Sequence, residues 1–454
     1  MAAIRWPFAV DRWPSAGSPT ANGQRPTANA VLTERITSIA LQRHAPRWWF
    51  VVFAACVAGV AVLLLAIGWL LVRGVGIWGV NVPVAWGFAI TNFVWWIGIG
   101  HAGTMISAFL LLMRQQWRRS INRFAEAMTI FAVANAGLFP LLHLGRPGLF
   151  YWLLPYPDTM KLWPQFRSPL VWDFVAVMTY FVVSLIFWYL GMIPDFATLR
   201  DRAARRVPKY AYAVLALGWR GDMMHWQRYE KIYLLLAGLA TPLVVSVHSI
   251  VSFDFAVAVL PGWHSTIYPP YFVAGAIFSG VAMALTLGIP LRRLFRLQDL
   301  ITDDHLDKMA KVTLLAGLIV AYGYFNEFFL AWYSGDLYHR FRALNKVAGP
   351  YWPAFAVMMV ANVVIPQLLW SKGVRRNAWQ LFAVSIAINV GMWTERFIIV
   401  VGALHRDFLP SSWRMFHPTI WDWATLAGTV ALFGALFLLF VRFLPLIAMH
   451  EERK

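Results

Sequence analysis

The residues able to do chemistry are few and sit in apolar surroundings. His143 and Arg146 occur in LLHLGRPGLFYW, Asp173 in SPLVWDF, His248 and Asp254 in HSIVSFDF, and Glu395 with Arg396 in MWTERF. His101 lies in WWIGIGHAG, Glu327 in NEFF and Asp336 in WYSGD. Histidine and carboxyl groups accept and release protons at pH values set by their surroundings, and a guanidinium supplies a fixed countercharge. Ionisable side chains inside apolar spans are costly and usually face a cavity or a partner, so each is a functional candidate by default.

The elements that must position them are membrane helices. Of 454 residues 60% are hydrophobic and 13% charged, far from the mixture of a soluble globular domain. A spanning helix takes about 20 mostly apolar residues. Windows that satisfy this lie at 50–72, 84–113, 125–144, 169–191, 231–260, 271–291, 309–333, 351–370, 377–403 and 421–447. The runs are too long, and alternate too little, for a β-barrel. The fold class is therefore an all-α polytopic membrane protein with ten transmembrane helices.

A formal charge of +18 would point to nucleic acid in a soluble protein, but here the cations alternate by loop. The segments RQQWRRSINR (114–123), LRDRAARRVPK (199–209), RRLFR (292–296) and KGVRR (372–376) are basic, whereas PGWHSTIYPP (261–270) has no Lys or Arg. The positive-inside rule then places both termini in the cytoplasm and loops 73–83, 145–168, 261–270, 334–350 and 404–420 outside. Lipids are the expected surroundings, and no nucleic-acid partner is expected. The single cysteine, Cys56, excludes an internal disulfide, a CxxCH haem attachment and a cysteine-ligated cluster, so any such centre must sit on a partner. The first ~30 residues lack the apolar region of a signal peptide and read as an irregular arm.

Spans two to five and six to nine read as two four-helix bundles. The stretches WWIGIGHAGTMISAFLLLMRQQWRRS and VAGAIFSGVAMALTLGIPLRRLFRL share central small residues, an apolar inner half and a basic exit. The organisation expected is an arm (1–49), a first span with its outer loop (50–83), the bundles 84–260 and 261–403, and a last span with its flanks (404–454). Repeats of four helices would be parallel, although any small-residue packing helix with basic flanks has this look. Gly98, Gly100, Gly103, Gly275 and Gly280 suit close helix contact.

Depth follows from the loops. His143 ends span three at the outer boundary, Asp173 lies about one turn inside it, and Asp254, Glu395 and Arg396 lie about two turns inside. His248 and Glu327 share that outer half, which makes a common pocket the economical reading. Each residue also has a plainer role. His143 can cap a helix C-terminus, Arg146 can snorkel, Asp173 can stabilise a helix N-terminus, Glu395 and Arg396 can form a structural ion pair, and His101 can be a hydrogen-bonded packing residue. As a set they suit quinol oxidation, which removes two protons and two electrons and needs a hydrogen-bond partner for each oxygen and a base. Apolar walls would hold the isoprenoid tail.

At HLGRPGLFYW together with SPLVWDF the chain resembles the NrfD/PsrC family of quinone-interacting membrane subunits, over essentially its whole length. HSIVSFDFAVAVLPGWHSTIYPPYFVAGAIFSG and NEFFLAWYSG are similar to the ActC branch, from alternative complex III. The resemblance implies a subunit of a quinol oxidoreductase complex in a bacterial inner membrane, not active alone, with menaquinol or ubiquinol as substrate and no haem or iron–sulfur cluster of its own. Electrons would pass to a ferredoxin-like iron–sulfur subunit on the outer face, then to a multihaem cytochrome c, beside a paralogous NrfD-like membrane subunit. The family motif carries the catalytic role onto His143 and Asp173. Quinol binding extends by depth and context to Asp254, Arg396, His248 and Glu395, and a proton route to His101, Glu327 and Asp336.

Other readings remain open on the sequence. A quinone-reactive anchor of a polysulfide or molybdopterin reductase shares the motif. A secondary transporter would use the repeats and buried charges but should show matched mid-span Gly/Pro breaks. A cytochrome b would need histidines paired across helices, and His101, His143 and His248 read as lying singly. A plain anchor leaves the buried charges unexplained.

Overall fold

The computed structural model describes residues 28–153 and 168–452. Residues 1–27 of the arm and 154–167 of the loop after span three lie outside the described residues. Among the described residues ten helices are long and apolar enough to cross a membrane, and no strand occurs. They are α2 (Arg47–Arg73), α3 (Gly87–Leu112), α4 (Asn122–His143), α5 (Pro169–Arg202), α7 (Met223–Ala256), α8 (Tyr268–Leu294), α9 (Asp303–Tyr333), the segment Trp352–Trp370 that begins as α11 (Trp352–Met359), α13 (Ala378–Leu404) and α14 (Ile420–Phe443). Between them lie α1 (Ala28–Leu41), α6 (Arg206–Leu215), α10 (Leu337–Ala348) and α12 (Lys372–Arg376).

The helix ends differ from the apolar windows for a physical reason. Hydropathy sees only the part in hydrocarbon, whereas a helix continues until a cap or breaker stops it. α7 begins at Met223, where the Asp222 side chain accepts from the His225 N–H (2.8 Å), and it ends at Ala256, before the expected 260. α5 runs on to Arg202. Past the first ~30 residues the arm carries a helix, Ala28–Leu41, and the loops 199–209 and 334–350 carry helical turns of α6 and α10. The eighth span is not uniform either. After Met359 it passes through a π-helical stretch, Val360–Val364, and a 3₁₀ stretch, Ile365–Trp370.

The loops sort into two sets that touch only as alternating spans require. The Asp422 carboxylate at the start of α14 accepts from the Gly79 N–H (2.8 Å), Asn81 donates to Met415 O (3.0 Å), and Tyr351 donates to Phe416 O (3.2 Å). At the opposite end Arg35 pairs with Asp299 (2.8 Å), Arg118 with Glu451 (2.7 Å), and Tyr212 donates to Phe443 O (2.9 Å). The first end is called outer and the second inner, after the charge expectation.

α3, α8 and α13 form the centre, with 78% of the apolar window of α8 and α13 buried against 11% for α2, which lies at the edge against α14. Glycines let the central helices approach. A Cβ on Gly280 of α8 would meet the side chain of Ala102 and stand 2.9 Å from Ile99 O of α3. Backbone cannot yield as a side-chain tip can, so Gly280→Val is expected to cost about 1–3 kcal/mol by overpacking. The thermal midpoint in detergent checks this against Gly238→Val, whose added Cβ meets nothing within 4 Å.

Candidate functional site

Pro169 starts α5, its fixed φ and missing N–H suiting the first turn, and so sets Asp173 on the outer part of that helix. α7 packs against α5 and carries Asp254 in its last turns. The two carboxyl groups lie within electrostatic reach of each other. Both are buried, and among the described residues neither oxygen of Asp173, nor Oδ1 of Asp254, has a hydrogen-bond partner. Buried acceptors are normally satisfied, so this pair is fitted to receive hydrogen bonds from a ligand.

A second cluster lies among α3, α5, α7, α8 and α13. The rings of His101 and His248 meet at 4.4 Å between centroids, and Tyr180 stacks on His101 at 5.0 Å. The histidines therefore do not lie singly: α3 and α7 pack side by side and bring them into contact. The sequence could not show which faces the two helices share. His101 Nδ1 lies 2.6 Å from Ile97 O, and a carbonyl only accepts, so Nδ1 carries the proton. Nε2 of His101 and both nitrogens of His248 have no protein partner. Phe272 bridges to Arg396, facing the His248 ring at 5.8 Å and taking the guanidinium over its own face at 4.3 Å.

Arg396 opens the third cluster. It pairs with Glu395 (2.8 Å), which also accepts from Tyr271 and, at 2.7 Å, from Tyr324. Asn362, in the π-helical stretch, donates to Tyr324 Oη (2.9 Å). Single-turn π geometry recurs at functional sites; here it brings Asn362 close to Gly391, where a Cβ would meet its Oδ1. Nη2 of Arg396 is buried without a hydrogen-bond partner.

The remaining candidates are hydrogen-bonded to none of these three clusters. His143 is the last residue of α4, half-buried, with no hydrogen bond from its Nδ1. Gly145 follows at φ +71 and stops the helix with an N–H bond to Leu142 O (3.2 Å). Arg146 is exposed. Glu327 is bound to Lys346 of α10, and Asp336 is the exposed N-cap of α10, accepting from the His339 N–H (2.8 Å).

One cluster went unread in the sequence. At the inner end, fully buried Arg123 donates to Glu126 (3.2 Å), Gly191 O (2.5 Å) and Asp195 (3.4 Å). Glu126 also accepts from Ser107 and from Tyr233 (3.3 Å), and His450 stands between Tyr229 (2.9 Å) and Asp195 (3.4 Å). In the sequence Arg123 reads as part of the basic segment 114–123. The signal available was the i,i+3 spacing of Arg123 and Glu126 at the edge of an apolar run. Between this cluster and His101 stand Tyr180, bonded to Gly100 O (2.9 Å), Thr129, bonded to the same carbonyl (2.6 Å), and Thr104 with Ser184 (3.1 Å). Among the described residues no group of three or more His, Cys, Asp or Glu is placed to hold a metal ion.

A polytopic helical protein with unpartnered polar atoms in its apolar interior is the class that the fold defines: a multi-pass membrane protein with buried polar clusters among its central helices. The sequence profile of the family described as Polysulphide reductase, NrfD, matches residues 78–406. The chain belongs to the NrfD family.

Among its relatives, a protein assigned as the membrane subunit of a dimethyl sulfoxide reductase in Halobacterium salinarum is 31% identical over 51% of this chain and 50% of its own length. A selenate reductase subunit of Mesobacillus selenatarsenatis is 24% identical over 81% of this chain and 87% of that one. The Hdr-like menaquinol oxidoreductase integral membrane subunit of Archaeoglobus fulgidus is 23% identical over 83% and 88%. The chain thus spans half the length of the halobacterial relative and most of the other two.

Proposed function

We propose that this chain is the quinol-oxidising membrane subunit of an electron-transfer complex of the alternative complex III type, set in a bacterial cell membrane with both termini cytoplasmic. The observation that carries the reading is the buried Asp173–Asp254 carboxyl pair, three of whose oxygens lack hydrogen-bond donors among the described residues. One quinol hydroxyl donates to this pair, and a carboxyl pair in contact is suited to take up and relay a proton. His143, at the end of α4, receives a proton toward the outer side. His248 and Arg396 polarise the second oxygen, and Glu395, held by two tyrosines, fixes the guanidinium. Oxidation releases two protons and two electrons. The electrons leave to iron–sulfur clusters of a ferredoxin-like partner, then to a multihaem cytochrome c.

A proton route inward follows His101, Tyr180, Thr104, Ser184 and Glu126 rather than Glu327 and Asp336, which are set apart at the outer surface. A reductase anchor, with electrons passing to or from a molybdopterin subunit, is favoured by the likeness to the two reductase relatives. Purification of the complex under mild detergent separates the two. A co-purifying iron–sulfur subunit whose clusters are reduced by added menaquinol or ubiquinol, together with a multihaem cytochrome, is the expected outcome. A molybdopterin subunit in place of the cytochrome would establish the reductase reading.

A further inference from the structure

A cavity of about 570 Å³ lies between the outer ends of α7, α8, α9 and α10, apart from the three buried clusters. Its apolar walls include Phe253, Val257 and Phe328, and its polar side is cationic: Arg342 and Lys346 of α10, with His264 and His339 beside them. Glu327 is the single carboxylate among the lining residues, and it is engaged by Lys346.

Arg342 is the unbalanced charge. It is only 4% exposed and gives Nη1 to Ala403 O, yet among the described residues its Nε has no hydrogen-bond partner and no carboxylate is ion-paired to it. A buried guanidinium without an anion is unfavourable. Burial pushes Arg342 down to about 10, in spite of Tyr268 and Glu327 nearby. The bare cation therefore faces a space large enough to admit a counter-ion with more than a free phosphate's bulk.

The surroundings say where that anion comes from. Trp332 and Tyr333 at the end of α9 are exposed, 66% and 73%, as are Phe329 and Leu330. Exposed Trp and Tyr at a span end mark the membrane–water interface. A charged group entering there arrives with an apolar tail beside it.

We infer that this cavity binds the phosphate of an anionic phospholipid, with Arg342 as its main ligand and Lys346 as the second, the acyl chains passing out along the exposed face of α9. The site holds the loop helix α10 against the span ends, so lipid binding stabilises the folded protein by mass action.

The test uses the delipidated complex in detergent and follows its thermal midpoint on addition of phosphatidylglycerol, phosphatidylcholine or inorganic phosphate. Phosphatidylglycerol raises the midpoint of the wild-type protein; Arg342→Gln loses at least half of that rise, and Arg342→Lys keeps most of it. Lys346→Met, which does not remove the bond to Ala403 O, also loses part of the rise and serves if Arg342→Gln does not assemble. Arg73→Gln, a cation at the same face stacked on Trp69, leaves the response unchanged. An equal rise from phosphatidylcholine or inorganic phosphate would overturn the assignment to an anionic lipid. An undiminished response in both Arg342→Gln and Lys346→Met would overturn the site.

Discussion

Asp173→Asn is expected to abolish quinol-dependent electron transfer while leaving the assembled complex intact. The change keeps shape and hydrogen-bonding capacity but removes a group able to take up a proton, and loss of a positioned base costs about 10²–10⁴-fold in rate. Asparagine also turns the contact with Asp254 from two acceptors into a donor and an acceptor, which ties up an oxygen that the quinol would use. The fold should tolerate it, because no protein donor depends on either Asp173 oxygen. Steady-state turnover, with cluster reduction by a small-molecule reductant as the control for assembly, measures the effect. Turnover within a few-fold of wild type would remove Asp173 from the catalytic role.

Arg396→Met is expected to fail in a different way, by instability. Arg396 and Glu395 are both buried, 2% and 1% exposed, and their ion pair is 2.8 Å long. Removing one partner leaves an uncompensated charge in an apolar interior, at a cost of about 3–5 kcal/mol. Tyr271 and Tyr324 still donate to Glu395, so the loss should lie toward the lower end. The double variant Glu395→Gln/Arg396→Met removes both charges and keeps an acceptor for the tyrosines, so most of the stability should return. Thermal midpoints of the three proteins form the cycle. A double variant no more stable than Arg396→Met would show that the guanidinium is held by something other than its pairing with Glu395.

The parts of the fold legible in the sequence were those set by long-range composition. The ten apolar windows match the ten spanning helices, because burying backbone in hydrocarbon leaves no alternative to helix over such lengths. Helix ends were less legible, since Asp222 and Asn377 caps and the 3₁₀ and π turns after Met359 depend on local hydrogen bonds. Within the site, the position of Asp173 in the first turns of its helix and of Asp254 in the last turn of its own was legible from the span bounds. Their contact was not, nor was that of His101 with His248, because which faces of α3, α5 and α7 meet is decided by packing of Gly, Ala and Ser against neighbours. Arg123 was misread for the opposite reason. It ends a basic segment in the sequence, and only the fold turns it inward toward Glu126 and Asp195.

The most direct test of the central claim is to locate the quinol. Photolabelling of the intact complex with an azidoquinone, followed by peptide mass spectrometry, should place the label on α5 near Asp173 and on α7 between His248 and Asp254, with protection by excess quinol and loss in Asp173→Asn. Protectable label confined to the α9–α10 cavity, or unchanged by Asp173→Asn, would contradict the assignment.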